Sequence, residues 1–282
     1  MARGVSLHIG LNQVDPAHYQ TWTGDLAACE ADAESMHEIA TSLGYTSTML
    51  LTTAATRTRV SAAIGDAASD LAAGDIFLVS YAGHGGQVPD VNGDEPDGTD
   101  ETWCLYDGML IDDELHALWK SFAPGGRVLV FSDSCHSGTV TRAARATLDV
   151  DGAAKELKAF GIENPRYRFM PPAAAVKTYR ANRAFYDGLG RMVAADAMTP
   201  PAATVRLFSG CQDNQVSADG VFNGLFTATM LGVWNEGAFG GDYPGFHREI
   251  VKRMPTCQTP NHYVIGPNAP SFDKQKPFAI EG

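Results

Sequence analysis

Apolar residues fall along this chain in short unbroken runs, separated by longer stretches with helical spacing. Val5–Leu11, Thr46–Leu51, Ile76–Tyr81 and Val128–Phe131 read as strands, and their continuity suits a sheet covered on both faces. Between the first two, Ala27, Ala31, Ala33, Met36, Ile39, Ala40 and Leu43 recur near helical spacing. Asp25 is the candidate cap of that helix and Gly44 its stop. Residues 57–73, rich in Ala and ending before Gly74, predict a second helix. The resulting order β, α, β, α, β implies an α/β fold with a mostly parallel central sheet flanked by helices on both faces. Thr102–Tyr106 predicts a short strand and residues 111–122 a helix with acids in its first turn, favourable against the helix dipole.

Beyond Gly138 the periodicity fails. Residues 139–203 carry Pro165, Pro171, Pro172, Pro200 and Pro201 and predict an irregular insertion. Order returns with a strand over Val205–Ser209, helices over Phe222–Glu236 and Gly245–Met254, and two closing apolar segments, HYVIG and PFAI. One domain over 1–282 is expected, in which residues 139–203 form a linker between the segments 1–138 and 204–282.

Two of the strands end in unusual turns. Val128–Phe131 runs into DSCHSG, which puts Cys135 at the carboxyl end of a buried strand, where open α/β sheets place their ligand crevices. A free cysteine is more often a small buried hydrophobe. Asp133, Ser134, His136 and Ser137 are poor company for an inert thiol, and Gly138 permits a turn that leaves the sulfur exposed. Ile76–Tyr81 runs into AGHGG, with His84 among Gly83, Gly85 and Gly86, where backbone can approach a substrate closely. If the two strands are neighbours, thiol and imidazole form a nucleophile and base pair.

Composition narrows the partners. The chain has 282 residues, 44% of them hydrophobic, and a formal charge of −12, which argues against nucleic acid and anionic membranes and suits cationic substrates. No run is long enough to span a bilayer. Five scattered cysteines without metal-ligand spacing point to a reducing, cytoplasmic setting.

YAGHGG followed by DSCHSG, with His84 and Cys135 51 residues apart, resembles the paired motifs of metacaspases and their bacterial relatives, caspase-like cysteine peptidases. The resemblance runs over residues 3–138 and, more loosely, over SGCQDNQVSAD at 209–219. It implies a caspase-like three-layer sandwich and a dyad of His84 and Cys135 that needs no cofactor. It also implies an oxyanion site at the N–H groups of Gly85 and Cys135, and cleavage after Arg or Lys. Asp32 and Asp133, with Cys29 beside them, match the acids that line the family's pocket for the residue before the cut. Ala82 stands where the family usually has Ser, and Asp213 resembles a further acid near the groove. Some metacaspases bind Ca²⁺ through carboxylates resembling Asp100, Asp112 and Asp113, whereas Arg142 replaces a further acid of that pattern. The loop DVNGDEPDGTDE, with six carboxylates in twelve residues, offers the same oxygen chemistry or is simply a solvated acidic loop. A role in bacterial defence or cell death is an implication of the family alone.

The linker has its own charge. Residues 142–191 hold ten Lys and Arg against five Asp and Glu, a net of +5 in an acidic protein. A tethered basic segment has a high effective concentration at an acidic pocket, so it is expected to act as both inhibitor and substrate. Arg142, Arg145, Arg166, Arg168, Arg180, Arg183 and Arg191 are the candidate cut sites of such a zymogen, processed by itself or by an upstream peptidase. Two other classes stay open: a catalytically silent caspase-fold scaffold or calcium-binding protein, and a thiol transferase or amidase using the same dyad.

Overall fold

A computed structural model of the chain describes residues 1–93, 95, 98–135, 150–163, 165–193, 199–212, 215, 217–267 and 269–281. The strands are β1 (Gly4–Gly10), β2 (Thr46–Leu51), β3 (Ile76–Ala82), β4 (Gly85–Pro89), β5 (Thr99–Leu105), β6 (Gly108–Ile111), β7 (Arg127–Asp133), β8 (Arg166–Tyr167), β9 (Thr204–Ser209), β10 (Ala218–Asp219) and β11 (Asn261–Ile265). The helices are α1 (Cys29–Ser42), α2 (Arg57–Asp70), α3 (Asp112–Lys120), α4 (Val150–Ala159), α5 (Pro172–Ala181), α6 (Arg183–Val193), α7 (Leu225–Trp234), α8 (Tyr243–Val251) and α9 (Ala269–Asp273).

Six strands form the central sheet in the order β11-β9-β7-β3-β1-β2, all parallel except β11. The two central strands, β3 and β7, are buried at every residue, as their unbroken apolar sequences require. Their side chains divide by parity. Phe77, Val79, Val128 and Val130 join a core with α2 and α3, while Ile76, Leu78, Leu129 and Phe131 join one with α1, α7 and α8. This is a three-layer α/β sandwich, as the alternation of elements implied.

A smaller antiparallel sheet, β4-β5-β6, leaves the carboxyl end of β3 and carries a third core. There the structure departs from the expected irregular linker, because α4, α5 and α6 lie inside residues 139–203. Pro171 and Pro172, read as breakers, instead open α5: Pro172 is its first residue, where a missing N–H costs nothing. Asp25 does not cap α1. The helix starts at Cys29, and Asn12 Oδ1 accepts from the N–H groups of Cys29 and Glu30 at 3.0 and 3.4 Å. Among the described residues no helix is long and apolar enough to cross a membrane.

Candidate active site

Ala82 pairs with Asp133 in the parallel ladder of β3 and β7, so His84 and Cys135 each lie two residues beyond the same rung. The turns are packed so closely that a Cβ on Gly85 would fall 1.8 Å from the Cys135 carbonyl oxygen. Only glycine fits there. His84 is buried, its Nε2 3.1 Å from the Gly24 carbonyl oxygen and its ring 4.8 Å from that of Trp22. Its Nδ1 has no hydrogen-bond partner. Burial lowers the imidazole to about 4, against the opposing pull of the Gly24 carbonyl and the Phe169 backbone. At neutral pH it is uncharged. Cys135 is buried rather than exposed, and its Sγ accepts from the Ser217 N–H at 2.8 Å.

The cover over Cys135 is the chain itself. Strand β8 pairs antiparallel with β10, and beyond it Arg168 N donates to Ser217 O at 2.9 Å. Arg168 O then accepts from both Gly85 N at 3.0 Å and Cys135 N at 3.1 Å. On the far side Met170 N donates to Gly85 O at 2.7 Å. The segment is therefore anchored on both sides of the Arg168–Phe169 peptide bond. Phe169, Met170 and α5 also line an apolar groove of about 610 Å³ running along β4.

The Arg168 side chain is completely buried. Its Nη2 lies 2.6 Å from Asp32 Oδ2 and 2.9 Å from Asp219 Oδ1, and its Nη1 lies 3.0 Å from Asp133 Oδ2. Burial opposes its charge, but Asp133, Cys29, Asp32 and Asp219 outweigh that and hold it firmly protonated. Three carboxylates facing one guanidinium leave an excess of buried negative charge. Asp32 absorbs it: burial, reinforced by Asp133 and opposed by Arg168, raises its carboxyl to about 7. Asp133 is also held by the Ser217 hydroxyl at 2.7 Å and the Thr227 hydroxyl at 2.7 Å, and Asp32 by Asn223 Nδ2 at 3.0 Å and Gly224 N at 2.9 Å.

The structure brings His84, Cys135, Gly85, Asp32 and Asp133 together around one arginine. Cys29 and Ala82 share a small buried cluster with Leu26. Asp213, Arg142 and Arg145 lie outside the described residues. Asp219 is the acid that sequence reasoning missed, although it closes the stretch SGCQDNQVSAD. Its role is visible only in three dimensions, because it meets Arg168 from β10 while accepting from Ala27 N at 2.7 Å ahead of α1. Of the other basic candidates, Arg166 is exposed on β8, and Arg180, Arg183 and Arg191 lie in helices.

The acidic loop places its ligand atoms differently from expectation. Among the described residues, oxygens of Glu95, Glu101 and Asp112 lie within 4.8 Å of one another. Asp100 and Asp113 stand outside that set, and Asp113 takes the Asn92 amide at 2.7 Å. Burial, then Glu101, Asp100, Asp113 and Glu95, push Asp112 well above the usual carboxylate range, and its Oδ1 has no hydrogen-bond partner. Such an all-oxygen, electronegative set has the donor chemistry of a hard divalent cation.

A thiol and an imidazole stand at adjacent strand ends, with two N–H groups on a peptide carbonyl between them. A family model described as "Caspase domain" matches residues 8–277, and the chain belongs to that family. It is 29% identical to Metacaspase-1 of Saccharomyces cerevisiae over 81% of this chain and 57% of that protein. It is 32% identical to Metacaspase-1 of Schizosaccharomyces pombe over 60% of this chain and 43% of that one. The alignments thus span about half the length of these relatives. A crystal structure of a Geobacter sulfurreducens protein is 52% identical, with a TM-score of 0.86 and 99% of each chain covered. Caspase-1 of Spodoptera frugiperda shares the fold at 12% identity, with a TM-score of 0.52 over 94% of this chain and 86% of that one.

Proposed function

We propose that this protein is a cysteine endopeptidase cutting after Arg or Lys, made as a zymogen whose own Arg168–Phe169 bond lies in its active site. The carrying observation is the double hold on Arg168, with its guanidinium on Asp32, Asp133 and Asp219 and its carbonyl on Gly85 N and Cys135 N. An Asp side chain before the cut would be repelled by the same carboxylates.

In the reaction, His84 accepts the Cys135 proton as the sulfur attacks the Arg168 carbonyl carbon. The S–C bond forms, the carbonyl oxygen takes up negative charge, and the N–H groups of Gly85 and Cys135 stabilise it. Collapse breaks the C–N bond, and His84 passes its proton to the departing Phe169 amine. Water, deprotonated by His84, then releases the Arg168 carboxylate and restores the thiol. Protein substrates follow the same course once residues 166–170 have left the groove.

Glu95, Glu101 and Asp112 would hold a calcium ion, which supplies charge neutralisation to the acidic loop and takes no part in bond making. Calcium should raise the thermal midpoint of the wild type and leave that of Asp112→Asn unmoved.

Incubation of wild type and Cys135→Ala, followed by sequencing of new termini, tests the main reading. A fragment beginning at Phe169 is expected from the wild type only. A chain that stays whole, in a preparation that also fails to hydrolyse short Arg peptides, removes the proposal.

A further inference from the structure

Helices α5 and α6 follow directly on the candidate scissile bond, and both lean on the loop of residues 12–28, which supplies the groups that hold His84. From α5, Lys177 Nζ donates to Gln20 O at 3.0 Å. Between the helices, Asn182 Nδ2 donates to His18 O at 3.2 Å. From α6, the buried Tyr186 hydroxyl lies 2.6 Å from His18 Nε2 and accepts from Met109 N at 3.1 Å. The contacts continue inward from there. The ring of Tyr19 meets that of Trp22 at 5.7 Å, Trp22 meets His84 at 4.8 Å, and Gly24 O receives His84 Nε2.

This loop needs outside support. Gln20 and Thr21 have φ of 55° and 76°, a left-handed region that non-glycine residues occupy only where their surroundings over-determine it. The loop closes its own turn through Thr21 N to Pro16 O at 2.8 Å. Its outer rim is tied to the α5–α6 hairpin, and its inner rim presses on the imidazole.

We propose that Lys177, Asn182 and Tyr186 are positioning residues for His84, and that α5–α6 is a permanent part of the catalytic domain rather than removable linker. The inference rests on the reading of His84 as base and Arg168 as cut site. It divides the basic stretch in two. The portion through Met170 is the plug, and the portion from α5 onward remains docked after the cut and keeps Gly24 O and Trp22 on the imidazole. From loop 12–28 the ring is faced by these two uncharged groups, and across the site by Arg168 and Asp219. The substitutions below leave those charges in place.

The test uses the full chain with Lys177→Ala and Tyr186→Phe combined. In protein fully cut at Arg168, kcat for a short Arg peptide should fall about tenfold, the scale on which small misplacements of a catalytic group act, with KM within about twofold. Lys177→Arg alone should keep the wild-type kcat. A second readout needs no activity: in the uncut Cys135→Ala background, NMR titration of the His84 ring should move to higher pH when the two substitutions are added, because a loosened loop admits water. Lys177→Ala alone, at an exposed residue, gives the same reading in smaller measure if the combined variant does not fold. An unchanged His84 titration together with an unchanged kcat overturns the proposal. An inactive wild type in which the titration still shifts counts against the peptidase reading and upholds the positioning.

Discussion

The N–H of Cys135 donates to the carbonyl oxygen of Arg168 at 3.1 Å, so the candidate nucleophile already grips the carbonyl it would attack. With Gly85 N on the same oxygen, the chain holds one of its own peptide bonds as a substrate is held. Arg168→Gln should therefore do two things. The Phe169 terminus should disappear, and hydrolysis of added Arg peptides should begin without a lag, because the plug has lost its hold on three carboxylates. Progress curves of wild type and variant decide the point; a lag of equal length in both contradicts it.

Under the proposed function, His84 would set the pH range of self-cleavage. Its folded pKa of about 4 lies below the ordinary 6.5, so the imidazole stays neutral well into the acid range and protonates only near pH 4. The first-order rate of Arg168–Phe169 cleavage should hold through pH 6 and fall off near 4. The same shift favours the folded state above pH 6.5, and that contribution is lost as pH falls from 6.5 towards 4. An acid limb centred at 6.5 in the intact chain would show that the imidazole is not buried during the cut.

Asp32 acts in the opposite sense. Its carboxyl is raised from 3.8 to about 7, so between those values the folded state binds more protons than the unfolded one, and stability declines as pH rises across that window. Urea unfolding of wild type and Asp32→Asn in the Cys135→Ala background should show that slope in the first and a reduced one in the second.

Gly224 fixes the width of the pocket. A Cβ there would stand 2.6 Å from the Arg168 guanidinium and 2.6 Å from Asp133 Oδ2. Gly224→Ala should raise KM for Arg peptides about tenfold, equivalent to about 1.4 kcal/mol of overpacking. Lys peptides, with a slimmer ammonium, should lose less. Equal losses for both would place Gly224 outside the pocket.

The candidate dyad and two of the acids around Arg168 were legible because each sits at the end of an unbroken apolar run or in the helix that follows one, and such runs declare themselves without tertiary knowledge. Asp219 was not, since it ends a short segment whose pairing with β8 depends on where the linker folds. The α5–α6 hairpin was hidden by its prolines, although Phe185, Tyr186, Leu189 and Met192 recur at helical spacing within it. Cys135 looked exposed because the sequence after it is polar and reaches a glycine; Tyr167 and Phe169, which pack against its buried cluster, come from further along the chain.

Strand β8 and the residues after it pass through the site as non-helical chain, hydrogen-bonded to β10 on one side of the cut and to Gly85 on the other. A helix cannot offer that outline, because its N–H and C=O groups are already spent on each other. Under the proposed function, arginine alone would not mark a protein for cutting. The groove would select for chain that can be drawn out over four or five residues, such as loops, tails and partly unfolded domains, so the same Arg-containing sequence would be spared in one conformational state of a target and severed in another.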